Sequence, residues 1–150
     1  MSTAINTVSV AFLGLALLLS PSLRAADDAS PVGLWKTISD TTGKPAGIVE
    51  ITVKDGEYSG RIVRSLDHDG SAVCEKCTDA RKDQPIVGMV FLSGLHKSDD
   101  GYGGGEILDP DNGKVYRAKM KVVDGGAKLE VRGYIGFALF GRTQTWLREK

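Results

Sequence analysis

The sequence predicts an all-β protein, an eight-stranded antiparallel β-barrel that follows an N-terminal signal peptide. Apolar and polar residues alternate with a period of two in several short segments, which is the pattern of strands with one buried face. Turn sequences rich in Asp, Asn and Gly separate these segments, and the chain has 19 glycines against 5 prolines. No stretch after the N-terminal segment shows sustained helical spacing, which argues against a helical bundle.

Residues 1–25 are interpreted as a signal peptide. Residues 8–19 form an uncharged apolar segment that is too short for a membrane span, since a spanning helix needs about 20 apolar residues. Ser20 and Pro21 follow this segment, and the small residues Ala25 and Ala26 favour cleavage after Ala25. We therefore expect a periplasmic or secreted protein whose mature chain, residues 26–150, is a single domain without a membrane span.

The overall charge balance does not point to a polyanionic partner. Lys and Arg number 19, as do Asp and Glu, so the formal net charge is zero. This balance provides no overall electrostatic reason to bind nucleic acid or an anionic membrane surface. A composition with 41% hydrophobic and 25% charged residues is typical of a folded globular domain.

Eight segments of the mature chain have strand character. Asp55-Gly56, between the second and third, is a strong hairpin signal. The most apolar segment, residues 86–95, is expected to be covered on both faces. In order, the segments are 33–37, 48–53, 58–62, 86–95, 102–108, 116–122, 129–135 and 142–148.

Tight turns join most of these segments, so neighbours in sequence are expected to pair antiparallel. Eight such strands can close into a barrel, which removes exposed sheet edges. The interior of a barrel of this size holds a side-chain core or one small ligand. An open sandwich has the same periodicity and remains an alternative.

The ends of the strand pattern resemble a known signature. Gly33-x-Trp35 in the first strand, with Arg142 in the last, resembles the lipocalin and calycin signature. The resemblance implies that Trp35 closes one end of the barrel and that Arg142 packs over its ring in a cation–π contact.

Longer stretches resemble one small family of exported bacterial proteins that is catalogued as a domain of unknown function. This resemblance implies a lipocalin-like fold and export, and it assigns no catalytic residue. The matching stretches are GLWKT at 33–37, GKP at 43–45, IVEI at 48–51, CEKC at 74–77, RKDQPIVGM at 81–89, GGEILDPDNGKVY at 104–116, LEVRGYIG at 129–136 and GRTQTW at 141–146.

Cys74 and Cys77, separated by two residues, form the most specific local motif of the sequence, and they permit three interpretations. In an oxidising compartment, two cysteines this close form a structural disulfide. A redox-active pair needs a low-pKa thiolate, usually at a helix N-terminus, whereas these residues lie in a polar segment beside Glu75. A metal site needs about four ligands, and only His68 and nearby aspartates could join the two cysteines. We favour the disulfide and predict no metal and no cofactor.

No catalytic constellation is visible. His68 and His96 lie far apart in sequence, and no nucleophile can be paired with a base. Residues 109–113 resemble a calcium loop, but Gly113 stands at the fifth rather than the sixth position, so a hairpin turn is favoured.

The favoured function is binding of a small apolar or amphipathic molecule inside the barrel. Arg61, Arg64, Arg81 and Lys82 are expected to line the rim and favour an anionic head group. One alternative is a structural or interaction protein of the cell envelope, with a packed barrel and the long segment 64–85 as its contact region. Another is a thiol-redox protein that uses the cysteine pair. The predicted ligand-lining residues are Ile51, Tyr58, Val90, Tyr116, Met120 and Val131.

Overall fold

The computed structural model describes residues 29–67 and 69–150, so the predicted signal peptide lies outside the described residues. Each strand pairs antiparallel with its neighbour in sequence, and the last strand returns to the first, which closes the barrel. The predicted fold is confirmed, and the open sandwich is wrong. The strands are β1 (Gly33–Ile38), β2 (Pro45–Lys54), β3 (Glu57–Ser65), β4 (Val90–Ser98), β5 (Gly101–Asp109), β6 (Lys114–Val123), β7 (Lys128–Tyr134) and β8 (Gly141–Arg148).

The two ends of the barrel differ in their connections. Tight turns join β2 to β3, β4 to β5 and β6 to β7 at one end, which we call the closed end. The β2–β3 turn is the predicted Asp55-Gly56 hairpin, in which both residues have positive φ, 51° and 80°. The opposite, open end carries the loops 39–44, 66–89, 110–113 and 135–140. The longest of these, residues 66–89, holds both cysteines.

The start of β4 differs from the prediction. The strand begins at Val90 rather than at Ile86, because Gly88 has a φ of 94° and its N–H bonds to Ile62 O at 2.7 Å in a turn. The prediction that both faces of this strand are covered is wrong at Val90, whose side chain is 47% exposed. The cause is an irregularity at Phe91: Arg61 pairs with Val90 and Gly60 with Leu92, so Phe91 is an extra residue, as in a β-bulge.

The closed half of the barrel is filled by side chains. Two glycines allow this close packing. A Cβ on Gly60 would lie 3.0 Å from Ile51 Cδ1, and one on Gly105 would lie 2.7 Å from Leu95 Cγ. Fully buried side chains of this half are Ile51, Leu92, Leu95, Met120 and Leu129. Among residues 29–67 and 69–150, no helix has the length and apolar character needed to cross a membrane.

Candidate functional site

A cavity of about 590 Å³ opens at the open end of the barrel. This volume lies within the range of about 300–1,000 Å³ that is typical of small-molecule sites. All eight strands contribute apolar or aromatic side chains to its wall, because every second residue of a barrel strand points inward. These side chains include Val49, Ile62, Phe91, Ile107, Val131 and Trp146.

The floor of the cavity is aromatic. Phe91 and Trp146 lie with their ring centroids 5.9 Å apart. Trp146 is 1% exposed, and its indole nitrogen donates a hydrogen bond to Gln144 Oε1 at 3.1 Å. No polar or charged residue of the described part of the chain is buried. The deep wall can therefore hold apolar groups without leaving a polar side chain unpaired.

A series of side-chain hydrogen bonds and an ion pair connects the floor of the cavity to its mouth. Gln144 Nε2 donates to Asp40 Oδ2 at 2.7 Å, and Arg142 Nε reaches the same oxygen at 3.0 Å. Asp40 belongs to the loop 39–44, so these contacts tie that loop to the start of β8. The side of the mouth next to β8 therefore carries an ion pair and an amide.

The rim of the cavity combines both signs of charge. Arg64 and Arg142 line the mouth, together with the carboxylates of Asp40, Asp67, Asp109 and Asp111. This balance does not favour an anionic head group.

Three of the predicted rim cations lie elsewhere. Arg61 is on the outer face of β3, where it forms a 2.7 Å salt bridge with Glu50. Arg81 pairs with Asp79, and Lys82 pairs with Asp83 at 2.7 Å, both within the loop 66–89. Of the predicted rim residues, only Arg64 lines the mouth.

Of the six predicted lining residues, two line the cavity, three belong to the packed half of the barrel and one, Val90, faces outward. Tyr116 and Val131 line the cavity. Ile51 and Met120 are buried at 0% and 2% exposure, but they belong to the packed half of the barrel. Tyr58 packs there too, with its ring centroid 4.6 Å from that of Tyr102.

The prediction that Val90 lines the barrel interior is wrong. It faces outward beside Arg61 because of the bulge, and Phe91 takes the inward position. The prediction also missed Ile107 and Gly133. Their inward direction was readable from the alternation of their strands, but not their depth in the barrel.

The arginine over Trp35 is Arg148, and the prediction of Arg142 is wrong. The guanidinium carbon of Arg148 lies 4.1 Å from the Trp35 ring centroid. The two residues are direct partners where β1 pairs with β8. Arg142 lies six residues earlier in β8, about 20 Å away at 3.3 Å per residue. The glycine of the signature, Gly33, approaches Arg148: a Cβ there would lie 3.2 Å from Arg148 Nη1.

The Cys74–Cys77 disulfide is present, as predicted. The two residues are 0% and 2% exposed and pack in the same apolar cluster as Leu108 of β5. The turn between β5 and β6 lies against this segment: Lys76 Nζ donates to Asp111 O at 2.7 Å. The disulfide closes a short turn within the loop 66–89, and the packing against Leu108 with the Lys76–Asp111 hydrogen bond holds this turn on the barrel near the mouth.

One ion pair with shifted pKa values lies away from the cavity. In residues 29–67 and 69–150, no group of three His, Cys, Asp or Glu side chains could hold a metal ion. The pKa of Asp79 is lowered to about 2, chiefly because its carboxylate accepts hydrogen bonds from the Arg81 side chain. The same contact raises the pKa of Arg81. This ion pair lies in the loop 66–89 and does not line the cavity.

Two comparisons agree with this architecture, and no curated protein matches the sequence. The chain is similar to a solved structure of protein HP1028 from the human pathogen Helicobacter pylori, which is described as belonging to the lipocalin family. The TM-score is 0.72 with 22% identity, over 81% of this chain and 84% of that chain. At this identity the similarity shows a shared fold alone. The model of a bacterial family, the uncharacterized proteins conserved in bacteria designated DUF2147, matches residues 33–148, which span every strand of the barrel. The chain therefore belongs to the DUF2147 family.

Proposed function

We propose that this protein binds a small amphipathic molecule in the open half of its barrel. The observation that carries the proposal is the cavity of about 590 Å³, which has apolar walls and a polar mouth. The lipocalin-like fold is consistent with such a role. The cavity in the open half supports ligand binding over the alternative of a packed barrel that acts only through its surface.

The driving force for binding would be burial of apolar surface. An apolar group that loses roughly 200 Å² of accessible surface gains about 5 kcal/mol before the entropy of association is subtracted. Phe91, Ile107 and Trp146 supply this surface. Since the indole nitrogen at the floor already donates to Gln144 Oε1, the apolar end of the ligand lies innermost.

The polar end of the ligand would remain at the mouth. There it meets Arg64, the Asp40–Arg142 pair and Tyr116, whose hydroxyl accepts a hydrogen bond from Asn112 Nδ2 at 3.1 Å. Because carboxylates outnumber guanidinium groups at this rim, we propose a head group that forms hydrogen bonds and carries no net negative charge.

Two fluorescent probes with a common aromatic skeleton test both parts of the proposal. N-phenyl-1-naphthylamine is neutral, and 1-anilinonaphthalene-8-sulfonate adds a sulfonate. We expect the neutral probe to bind with a lower Kd than the sulfonate. Equal binding of the two, or preference for the sulfonate, would contradict the proposed head group.

Substitution of Gly133 locates the probe. A Cβ there would lie 3.4 Å from Ile107 and 3.6 Å from Tyr116, both in the cavity wall, so the rest of a leucine side chain would enter the cavity. Gly133→Leu should therefore abolish binding of the neutral probe. Gly103→Leu is the matched control, because a Cβ there would approach only Lys119 on the outer surface. Binding that survives Gly133→Leu, or that both variants lose equally, would refute a site in the cavity.

We also propose that the protein acts outside the cytoplasm, after cleavage behind Ala25. The apolar segment 8–19 and the small residues after it support this location. The intact mass of the protein recovered from the periplasm or the medium of producing cells should correspond to a chain that begins at Ala26. Recovery of the uncut chain from the cytoplasm alone would contradict the proposal.

A further inference from the structure

The loop between β7 and β8 carries the most exposed apolar side chains among the described residues. Its large side chains are 66–80% exposed, whereas no other large apolar residue in this part of the chain exceeds 47%. We call residues 135–140 the apolar tip. Its exposed side chains are Ile135, Phe137, Leu139 and Phe140.

Hydrogen bonds hold the backbone of the apolar tip. Arg132 Nε donates to Ala138 O at 2.7 Å, and Arg132 Nη2 donates to Leu139 O at 3.1 Å. Within the tip, Phe140 N–H donates to Phe137 O at 3.0 Å. The loop is thus a defined turn that presents apolar groups to solvent, and no described part of the chain covers them.

The apolar tip adjoins the mouth of the cavity. It connects the end of β7 to the start of β8 at the open end, and its flanking residues Gly133 and Arg142 both line the cavity. A surface that engaged the tip would therefore lie next to the cavity entrance.

Basic side chains stand beside the tip on the outer surface. Arg117 pairs with Tyr134 and Lys119 pairs with Arg132 across β6 and β7, so these cations form a patch beneath the tip. The nearest strand partner of opposite charge is Glu106, opposite Arg117. Although the whole chain has no net charge, the cations Arg117, Lys119 and Arg132 outnumber the neighbouring carboxylates Glu106 and Glu130 here.

We propose that the apolar tip inserts into the headgroup region of an anionic lipid membrane. Aromatic and aliphatic side chains bordered by cations are the combination that binds such interfaces, since the apolar groups enter the acyl boundary and the cations face lipid phosphates. Docking in this way places the cavity mouth beside the lipid surface. It does not depend on a ligand in the cavity, so it stands or fails separately from the proposed function.

The size of the tip favours lipid over a second copy of the chain. Four side chains with about 70% exposure offer roughly 500 Å², whereas a standard interface between proteins buries about 800 Å² per partner. A protruding tip of this size suits insertion into a fluid layer better than a stable dimer.

A tryptophan probe at the tip tests the proposal on the full chain. Phe137→Trp places an indole on the tip, while the native Trp35 and Trp146 are 0% and 1% exposed and should not respond. With vesicles of phosphatidylethanolamine and phosphatidylglycerol, its emission should shift to the blue and be quenched by brominated lipids. Val53→Trp at the closed end is the matched control and should show neither effect. Because the readout belongs to the tip, the apolar segment at 8–19 cannot imitate it.

Two further variants separate the contributions in the Phe137→Trp background. The double variant Leu139→Ser, Phe140→Ser should need a lipid concentration about tenfold or more higher to reach half of the emission shift. The reason is that less apolar surface enters the lipid. The double variant Arg117→Gln, Lys119→Gln should raise the same half-shift lipid concentration by about tenfold. Vesicles of phosphatidylcholine alone, which carry no net charge, should bind the protein weakly. Near-ultraviolet circular dichroism verifies that each variant is folded.

Three outcomes would overturn the proposal. One is an unchanged Phe137→Trp emission with anionic vesicles while the protein is folded. Another is equal quenching of the tip probe and the Val53→Trp control. The third is a blue-shifted tip emission that depends on protein concentration without lipid, which would assign the tip to a second copy.

Discussion

The guanidinium of Arg148 lies 4.1 Å above the ring of Trp35, with one residue near the end of the chain and the other near the start of the barrel. The same guanidinium donates to three carbonyl oxygens, those of Gly126 at 2.6 Å, Ser30 at 2.8 Å and Val32 at 3.2 Å. Trp35 in turn donates its indole N–H to Pro31 O at 2.8 Å. Together these contacts bind residues 30–32 across the closed end, so that among the described residues the cavity opens at the opposite end.

Replacement of Arg148 by Ala should lower the free energy of unfolding by about 2–4 kcal/mol. The variant loses a cation–π contact of about 0.5–2 kcal/mol and leaves three carbonyls without a donor. Urea denaturation measures the effect. Arg142→Ala is the control: its side chain is 66% exposed and pairs only at the surface, so its loss should cost less than about 1 kcal/mol. Equal effects of the two variants would contradict the structural role of Arg148.

Gly113 should tolerate no side chain. Its φ is 73°, and a Cβ would lie 1.9 Å from Lys76 O in the disulfide segment. Gly113→Ala should therefore lower the free energy of unfolding by about 2–4 kcal/mol, because the backbone must move as well as adopt a strained φ. Gly43→Ala is the control for the backbone strain alone, because Gly43 has a φ of 68° and an added Cβ would have no atom within 4 Å. This variant should lower the free energy of unfolding by about 1 kcal/mol. Similar losses in urea denaturation would show that the contact with Lys76 is unimportant.

The disulfide should resist reduction in the native protein. Because Cys74 and Cys77 are 0% and 2% exposed, a reductant reaches them only when the loop 66–89 opens. Thiol trapping with dithiothreitol should therefore be slow and should accelerate in urea. Cys74→Ala with Cys77→Ala should cost about 2 kcal/mol, the chain-entropy value for a loop this short. Rapid and reversible reduction under native conditions would instead support the thiol-redox alternative.

The Asp79 carboxyl should titrate near pH 2. Hydrogen bonds from Arg81 lower its pKa from 3.8 to about 2. A carboxyl with a lowered pKa stabilises the folded state above its unfolded value, and this contribution disappears as the pH falls through about 2. Carbon-detected NMR titration measures the midpoint. Arg81→Gln should move it toward 3.8, whereas Lys82→Gln should not, since Lys82 bonds to Asp83 and Glu75. A wild-type midpoint near 3.8 would contradict the ion pair.

Much of the barrel could be predicted from local patterns. The inward faces of β6 and β7 are correct: Ala118 and Met120 are buried, while Lys119 between them is exposed. Alternation succeeds here because each residue of an extended strand reverses the direction of its side chain. It fails at Val90, because the irregularity at Phe91 is set by pairing with β3, which no single segment encodes.

The site was predictable only in part, for a related reason. Ile51 and Met120 point inward as expected, yet they lie below the cavity. A period of two indicates the face of a strand but not the depth along the barrel axis. Depth depends on which end the Trp35–Arg148 contact closes, and that contact depends on how β1 and β8 are aligned.

The sequence by itself determined the number of strands, the positions of most of their turns and, outside the start of β4, most of the side chains that face inward. These properties follow from steric and solvation preferences within a few neighbouring residues. Only the tertiary structure decided which arginine covers Trp35, which end stays open and which inward residues meet a ligand. Those properties depend on the stagger between strands far apart in the chain, and this stagger arises only when all eight strands close into one barrel.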